Sequence, residues 1–339
     1  MKKSLLVLAL ISSTPVYAIQ NGTPLNWADH DDMVKLNCSG TVIGGKWVLT
    51  AAHCEMTTAG VTTVNGLIGV SNSTKFPATE EDGHALDVSL WKLTTPASTL
   101  KATFLSTRTV AAGERIRISG FGAGNGLQNL AYTDEIALDN LEVRPSGARP
   151  EWLTMKMDGD GYVIGGDSGA PYTDTNGFIV GVSTSGGVDF TTGINAEGAR
   201  LEYAKDWILD TINGWHYPTL ANTPTVGGTI TIEVQSLHRE PFLDNATASG
   251  DATITGGTCS GATVEPYGTC TYIVSSNGYE GTVTLDTNEV ITINKGRTKT
   301  TPPTDNGSGS DSGSSGGGSM GFVSLLAALG LGWFRRKAG

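Results

Sequence analysis

Residues 165–171 of this chain read Gly-Gly-Asp-Ser-Gly-Ala-Pro, which places one serine, Ser168, inside a tight turn of glycines. Glycine adopts backbone conformations that side chains forbid, so successive N–H groups of such a turn can point at one position. Converging N–H donors stabilise the oxyanion that forms when a serine attacks a carbonyl group. The turn therefore predicts a nucleophile at Ser168, although a Gly-Asp-Ser-Gly run alone is often only a turn.

Two upstream motifs supply the side chains that such a serine needs. Thr50-Ala51-Ala52-His53-Cys54 follows a predicted strand, so it presents a histidine at a strand end beside a cysteine that can fix the loop. Asp87 opens another predicted strand, although aspartate is a poor strand former. Each motif alone is a weak signal. Together they predict a base, an acid and a nucleophile that act on one substrate.

The order histidine, aspartate, serine resembles the trypsin/chymotrypsin family of serine proteases, since subtilisin-type enzymes and α/β-hydrolases use other orders. The resemblance spans residues 19–213 and includes three further matches. These are Ile19-Gln20-Asn21-Gly22, which is similar to the family's mature N-terminus, Ser119-Gly120-Phe121-Gly122, which is similar to its Ser-Gly-aromatic-Gly turn, and residues 181–186, which are similar to the strand lining its specificity pocket. The resemblance implies an all-β fold of two six-stranded antiparallel barrels with a C-terminal helix.

The resemblance also implies a role for each matching residue. His53 is expected to be the general base, Asp87 to orient its imidazole and Ser168 to be the nucleophile. The backbone N–H groups of Gly166 and Ser168 are expected to form the oxyanion hole. The chemistry requires no metal and no organic cofactor, and the expected partners are protein or peptide substrates.

The predicted specificity pocket departs from the family. The resemblance places Tyr162, Thr184, Ser185 and Gly186 around it, and Tyr162 stands where trypsin carries the carboxylate that binds Arg or Lys. A basic substrate side chain would be buried there without a partner, which disfavours strict Arg or Lys specificity. Asp160, two residues before Tyr162, leaves a basic specificity open.

The first 18 residues are predicted to be a signal peptide that signal peptidase removes. Two lysines precede the apolar run Leu5–Ile11, and small or branched residues stand at Val16 and Ala18. The mature chain is then expected to begin at Ile19. The resemblance implies that the new α-amino group of Ile19 pairs with Asp167, so we expect export itself to activate the enzyme without a separate propeptide.

A helix from Glu202 to Asn213 is predicted to close the catalytic unit, residues 19–217. Its apolar face is predicted to carry Tyr203, Trp207, Ile208 and Ile212. A Pro/Thr/Asn-rich stretch then leads into an accessory unit, residues 218–300, where alternating residues predict strands and a small β-sandwich-like domain. This unit has no catalytic motif. Binding a substrate, a surface or the secretion machinery, or spacing the catalytic unit from a membrane, all stay open for it.

The C-terminal end has the composition of a sorting tail. Residues 301–319 form a predicted Gly/Ser-rich linker, and residues 320–339 a hydrophobic helix that ends in Arg335-Arg336-Lys337. The uncharged stretch Met320–Phe334 reaches only about 22 Å as a helix, against a hydrocarbon core of about 30 Å, so it is a marginal span. The order of features resembles the GlyGly-CTERM tail of Gram-negative bacteria. It implies a transient inner-membrane anchor, removal by a rhomboid-like sortase, and type II secretion.

Cysteine usage agrees with export. The chain has four cysteines, which in a secreted protein most simply form two disulfides. Proximity in sequence favours Cys38–Cys54 and Cys259–Cys270, although three pairings are possible.

Composition excludes several classes of protein. The 339 residues exceed what one core usually fills, and 46 glycines favour a turn-rich β protein over a helical bundle. The formal net charge of −11 makes nucleic acid an improbable partner.

The function predicted from these observations is a secreted serine endopeptidase that forms an acyl-enzyme at Ser168. It is expected in the medium or at the surface of a Gram-negative bacterium, reached through the periplasm. Two alternatives are a catalytically silent, protease-like binding protein and an esterase that uses the same three residues.

Overall fold

The computed structural model describes residues 18–56, 60–77, 86–122, 130–139, 149–224 and 227–299. The predicted linker, sorting tail and nearly all of the signal peptide lie outside these residues. The described residues up to Thr298 belong to one compact unit. Within the described ranges, no helix is both long enough and apolar enough to cross a membrane.

The first sheet is antiparallel and follows β1 (Thr23–Pro24) and a short 3-10 helix (Trp27–His30). Its strands are β2 (Met33–Lys35), β3 (Ser39–Ile43), β4 (Trp47–Thr50), β5 (Val61–Thr63), β6 (Gly66–Ile68), β7 (Val70–Lys75) and β8 (Ser89–Leu93). They lie in the order β6-β5-β2-β3-β4-β8-β7. The β3–β4 hairpin turns through Gly44 and Gly45, whose φ angles of +55° and +69° favour glycine. Every residue of β3 and β4 is buried, so this hairpin forms the centre of the sheet.

The first sheet is not closed by hydrogen bonds in the part of the chain that the structure describes. Its edge strands are β6 and β7, and no ladder of hydrogen bonds joins them. The two strands are consecutive in the chain and are separated only by Gly69. The prediction of two six-stranded barrels is therefore confirmed in part, because the ladders of this first sheet leave it open while those of the second sheet form a closed ring. β6 continues into β7 through Gly69, and this bent segment pairs with β5 through its first part and with β8 through its second.

The second sheet is a closed antiparallel barrel, as the sequence predicted. It consists of β9 (Arg115–Gly120), β10 (Ala131–Leu138), β11 (Trp152–Met157), β12 (Pro171–Thr173), β13 (Ile179–Gly186) and β14 (Ile194–Arg200). Their order is β10-β11-β14-β13-β12-β9, and a β9–β10 ladder completes the circle. β1 adds to β10 from outside the ring. Alternate residues of β10 are buried, as expected where one face of each strand lines a core.

A glutamate lies among the buried residues of β10. Glu135 has no exposed surface, and its Oε1 atom accepts a hydrogen bond from the amide of Asn195. No residue that the structure describes hydrogen-bonds its Oε2 atom. Burial raises the pKa of Glu135 to about 8, because ionisation in the barrel interior would lose the hydration of the charge.

This burial predicts a pH-dependent stability. The carboxyl pKa rises from 4.5 to about 8 on folding, so the folded chain holds a proton that the unfolded chain has released between these values. Stability is therefore lost as the pH rises through this window, by about 1.4 kcal/mol per pH unit at most. Glu135→Gln should remove that loss, and its advantage in denaturant midpoint over the parent should grow from pH 5 to pH 8. The exposed Glu233→Gln is the matched control, and an equal pH slope in all three proteins would contradict the argument.

The helix at the end of the predicted catalytic unit is shorter than the sequence predicted. A 3-10 turn (Leu201–Tyr203) precedes α1 (Lys205–Ile212), which ends at Asn213 with a left-handed φ of +39°. Ile208, Leu209 and Ile212 are buried in the first core. Tyr203, which was predicted to share this face, is 46% exposed because it lies in the 3-10 turn, outside the α-helical periodicity.

The accessory unit consists of a mixed sheet and a small ribbon. Its strands are β15 (Gly214–His216), β16 (Leu220–Ala221), β17 (Gly228–Leu237), β18 (Phe242–Leu243), β19 (Thr247–Gly256), β20 (Thr263–Val264), β21 (Thr269–Asp286) and β22 (Glu289–Ile293). β18 and β20 form the ribbon, and the others form one continuous sheet. The small β-sandwich-like domain expected from the sequence stays a prediction. The 18-residue β21 pairs with β17 through its first half and with β22 through its second, so it joins both parts.

The accessory unit packs directly against the predicted catalytic unit. The side-chain amide of Gln235 accepts a hydrogen bond from the N–H of Leu105 at 2.9 Å and donates one to its carbonyl at 2.7 Å. The hydroxyl of Tyr267 donates to the carbonyl of Lys205 at 2.7 Å. Leu237 is fully buried in the core of the first sheet. These contacts make the two parts one compact unit.

Candidate active site

His53 lies in the loop that follows β4. A disulfide between Cys38 and Cys54 ties this loop to the chain just before β3, and a second disulfide joins Cys259 to Cys270 in the accessory unit. The backbone N–H of His53 donates to Asp87 Oδ1 at 2.8 Å. The loop is thus held at its backbone and at the neighbouring cysteine. Its histidine side chain remains about half exposed, which leaves it accessible to a substrate.

The structure brings His53, Asp87 and Ser168 within hydrogen-bonding distance. His53 Nδ1 lies 2.7 Å from Asp87 Oδ2, and His53 Nε2 lies 2.9 Å from Ser168 Oγ. The hydrogen bond to Asp87 raises the pKa of His53 above its usual 6.5, and burial of the ring opposes that rise. An imidazole between a carboxylate and a hydroxyl can take the hydroxyl proton while the carboxylate stabilises the resulting imidazolium.

The loop before Ser168 is a tight turn. Asp167 N–H donates to the carbonyl of Ile164 at 3.1 Å, and Gly166 has a φ of +92°, which strains any residue with a side chain. Among the hydrogen bonds between described residues, the N–H groups of Gly166 and Ser168 are donors in none. Backbone N–H groups beside a nucleophilic hydroxyl are the donors that an oxyanion hole uses.

Asp167 is fully buried behind this turn. Its carboxylate accepts hydrogen bonds from the N–H groups of Gly122 at 2.8 Å and Ile164 at 3.0 Å. Burial raises the pKa of Asp167 to about 7, and the two N–H groups only partly offset this. Ala18 and Ile19 are also fully buried, and Gly122 packs closely against Ala18. The predicted start of the mature chain thus lies next to a group that holds the buried acid.

The predicted pocket residues lie on neighbouring segments of the second barrel. Tyr162 exchanges two backbone hydrogen bonds with Gln20, both 2.9 Å long, and its ring meets that of Phe190 edge-on at 6.1 Å. Gly186 lies so close to Val163 that a Cβ atom on it would be 2.6 Å from the Val163 side chain. The end of β13 and the segment of Tyr162 and Val163 are therefore in van der Waals contact at Gly186.

Three residues near the site were missed from the sequence. Phe190 is 78% exposed beside Tyr162. Glu197 accepts a hydrogen bond from Ser185 Oγ at 3.5 Å and, through its backbone carbonyl, one from Thr184 at 3.0 Å. Ser39 contacts the loop of Ser168 from the first sheet. A carboxylate within β14 could have drawn attention to Glu197, but nothing local distinguishes Ser39 or Phe190 in the sequence.

A group of potential metal ligands also occurs at this site among the described residues. Cys38, His53 and Cys54 place one ligand atom each within 4.8 Å of one another. Both cysteines form a disulfide and so have no thiolate to offer. The imidazole is the one ordinary metal ligand of the three.

A family model described as Trypsin matches residues 17–208, more than half of the 339 residues. The chain is 30% identical over 212 residues to a glandular kallikrein of Sus scrofa, a match that covers 52% of this chain and 85% of the kallikrein. It is 27% identical over 208 residues to trypsin-1 of Gadus morhua, covering 55% and 82%. Among solved structures, the mouse brain serine protease neuropsin is similar at 20% identity and a TM-score of 0.49, covering 56% of this chain and 98% of neuropsin.

Proposed function

Because this chain belongs to the trypsin family and is a serine-type endopeptidase, we propose that it hydrolyses peptide bonds through an acyl-enzyme formed at Ser168. The observation that carries the proposal is the pair of contacts of His53, 2.7 Å to Asp87 and 2.9 Å to Ser168. Residues far apart in sequence meet there in the arrangement that nucleophilic catalysis requires.

In the proposed mechanism, Ser168 Oγ attacks the carbonyl carbon of the substrate while its proton passes to His53 Nε2. The N–H groups of Gly166 and Ser168 stabilise the oxyanion of the tetrahedral intermediate. The protonated imidazole, held by Asp87, then gives its proton to the leaving amine nitrogen as the C–N bond breaks. Water repeats the sequence on the acyl-enzyme, which releases the acid and restores the Ser168 hydroxyl.

A fluorophosphonate probe tests the nucleophile. The folded protein should label with one probe per chain, and Ser168→Ala should not label. Folded protein that labels no faster than Ser168→Ala would favour the silent binding protein. Labelling together with hydrolysis of esters but not of peptides would favour the esterase.

We propose a shallow specificity pocket bounded by Tyr162, Thr184, Ser185 and Gly186. The contact between Gly186 and Val163 supports this, because these two residues leave no space between them into which a long substrate side chain could extend. Long basic side chains at the cleaved position are therefore disfavoured. Cleavage of a peptide library tests the proposal, and a dominant preference for Arg or Lys would contradict it.

We also propose activation by export. The Ala18–Ile19 bond lies between two fully buried residues, so a peptidase can reach it only before the catalytic unit folds. Removal of residues 1–18 by signal peptidase meets this condition, and the freed α-amino group of Ile19 would then pair with Asp167. Sequencing the N-terminus of exported protein should return Ile19. Any other mature start would rule out this route.

The proposed destination is outside the cell of a Gram-negative bacterium, reached through the periplasm and type II secretion. The two disulfides support an oxidising compartment. Residues 301–319 would serve as the linker and residues 320–339 as the temporary anchor that the sortase removes. Intact-mass measurement of the protein from the culture medium tests this, since a chain that retains residues 320–339 would contradict it.

We propose that the accessory unit, residues 218–300, stabilises the catalytic unit. Gln235 satisfies both backbone groups of Leu105, and all these atoms are buried. Gln235→Ala leaves a buried N–H and a buried carbonyl without partners and should cost about 2–4 kcal/mol of unfolding free energy. Denaturant unfolding of this variant, with the exposed Thr229→Ala on the same strand as control, measures the effect. Equal midpoints would show that the contact is dispensable.

A further inference from the structure

Ser39 joins the first sheet to the loop of the proposed nucleophile. It is fully buried and follows Cys38, whose disulfide fixes the other side of the site. Its N–H donates to the carbonyl of Ser168 at 2.7 Å, and its hydroxyl donates to the carbonyl of Gly166 at 3.2 Å. One residue of β3 therefore holds two carbonyl groups of the turn, one on each side of Asp167.

The direction of the Ser39 hydroxyl is determined by a third contact. The N–H of Phe121 donates to Ser39 Oγ at 2.9 Å, so the hydroxyl proton is free to point at the Gly166 carbonyl. The peptide between Gly166 and Asp167 is then held at both ends. Ser39 binds its carbonyl oxygen, and the Ile164 carbonyl binds its N–H at 3.1 Å.

Gly166 needs such an external constraint. Its φ of +92° is open only to a residue without a side chain, and the same freedom allows the neighbouring peptides to rotate. Rotation of the preceding peptide would turn the Gly166 N–H away from the Ser168 hydroxyl. A fixed peptide on the other side of Gly166 limits this rotation.

We propose that Ser39 is a positioning residue for the oxyanion hole, holding the Gly166 carbonyl so that the N–H of Gly166, in the preceding peptide, stays directed at the substrate oxygen. The inference rests on the proposed function, because it concerns the same hydrolytic site. Ser39 does not touch the substrate and acts only through the turn. Its effect belongs to the transition state, in which the oxyanion exists, and not to the binding of the uncharged substrate.

The variant Ser39→Ala removes the hydroxyl and keeps the backbone N–H. We expect kcat for a peptide substrate to fall about 10- to 100-fold, because a misplaced donor loses most of its effect on the oxyanion. KM should change by less than about threefold, since ground-state binding is unaffected. Binding of a peptide boronate, which presents a tetrahedral anion, should weaken by a similar factor to kcat. Ser39→Thr, which retains a hydroxyl, should recover part of the rate.

A matched control separates positioning from a general loss of stability. Ser89 is also fully buried in the first sheet, and its hydroxyl donates to the Thr74 carbonyl at 3.0 Å. Ser89→Ala should lower the melting temperature by an amount comparable to Ser39→Ala but leave kcat within about threefold. A folded Ser39→Ala with an unchanged kcat, or with the same kinetic change as Ser89→Ala, overturns the proposal.

One readout does not depend on hydrolysis. The Asp167 amide is hydrogen-bonded to Ile164 in the turn, and its hydrogen exchange by NMR should be faster in Ser39→Ala than in the parent and in Ser89→Ala. Parent protein that neither cleaves peptides nor labels with fluorophosphonate would refute the proposed function, and amide exchange would still test the role of Ser39. Equal exchange in the three proteins overturns that role.

Discussion

Replacing Ser168 with alanine is expected to lower kcat about 10⁶-fold, the largest effect that a single substitution should have in this protein. The hydroxyl lies 2.9 Å from His53 Nε2, and no other described residue offers His53 a nucleophile at that nitrogen. Single-turnover and steady-state hydrolysis of one peptide substrate measure the loss. KM should change little, because the turn that contacts the substrate carbonyl keeps its glycines.

The effect should not add to that of His53→Ala. If the two residues act as one unit, the double variant should be about as slow as either single variant, since removing one partner already disables the other. Ser249→Ala, on an exposed strand of the accessory unit, serves as the control and should retain full activity. Multiplicative losses in the double variant would show that Ser168 and His53 contribute independently, contrary to the proposed mechanism.

Replacing Asp87 with asparagine should lower kcat about 10⁴-fold. The N–H of His53 donates to one oxygen of Asp87, so an asparagine there would keep its carbonyl oxygen on that N–H and turn its NH₂ toward His53 Nδ1. Nδ1 would then have to accept a hydrogen bond, and Nε2 would carry the proton. In that tautomer the imidazole cannot accept the proton of Ser168.

The same substitution should shift the pH profile. The base works as neutral imidazole, so kcat/KM falls as the pH drops through the pKa of His53. The hydrogen bond from Asp87 is the main cause that holds this pKa above 6.5, while burial lowers it. In Asp87→Asn the acid limb of the residual activity should therefore move to lower pH. Asp206→Asn on α1 is the control, and an acid limb that stays in place would show that Asp87 does not set the pKa.

Local patterns allowed several elements of the fold to be predicted. The β3–β4 hairpin follows from two glycines between apolar runs, because a left-handed turn of this kind admits glycine readily. The alternation in Arg115–Ile118 indicates the strand that became β9. The exposed Tyr203 shows the limit of such patterns. Helical periodicity does not reveal that the first turn is a 3-10 turn, in which the facing residues change.

Closure of the sheets could not be predicted from local signals. The six strands of the second barrel close through a β9–β10 ladder, whereas the edge strands β6 and β7 of the first sheet have none between them. Nor does the composition of β21 indicate that it joins both parts of the accessory sheet. Register and closure depend on the pairing of distant segments, which no window of sequence contains.

The sequence by itself determined which chemical groups are available, namely one imidazole, one carboxylate and one hydroxyl in a distinctive order, together with the glycine turn that presents the hydroxyl. These are local properties of residue type and spacing. Only the tertiary structure decided that His53 lies between Asp87 and Ser168 at 2.7 and 2.9 Å, and that Ser39, over 120 residues before the nucleophile, holds its loop. Contacts of that kind form because burial in a shared core brings remote strands together, and their partners are chosen by packing that involves the whole unit.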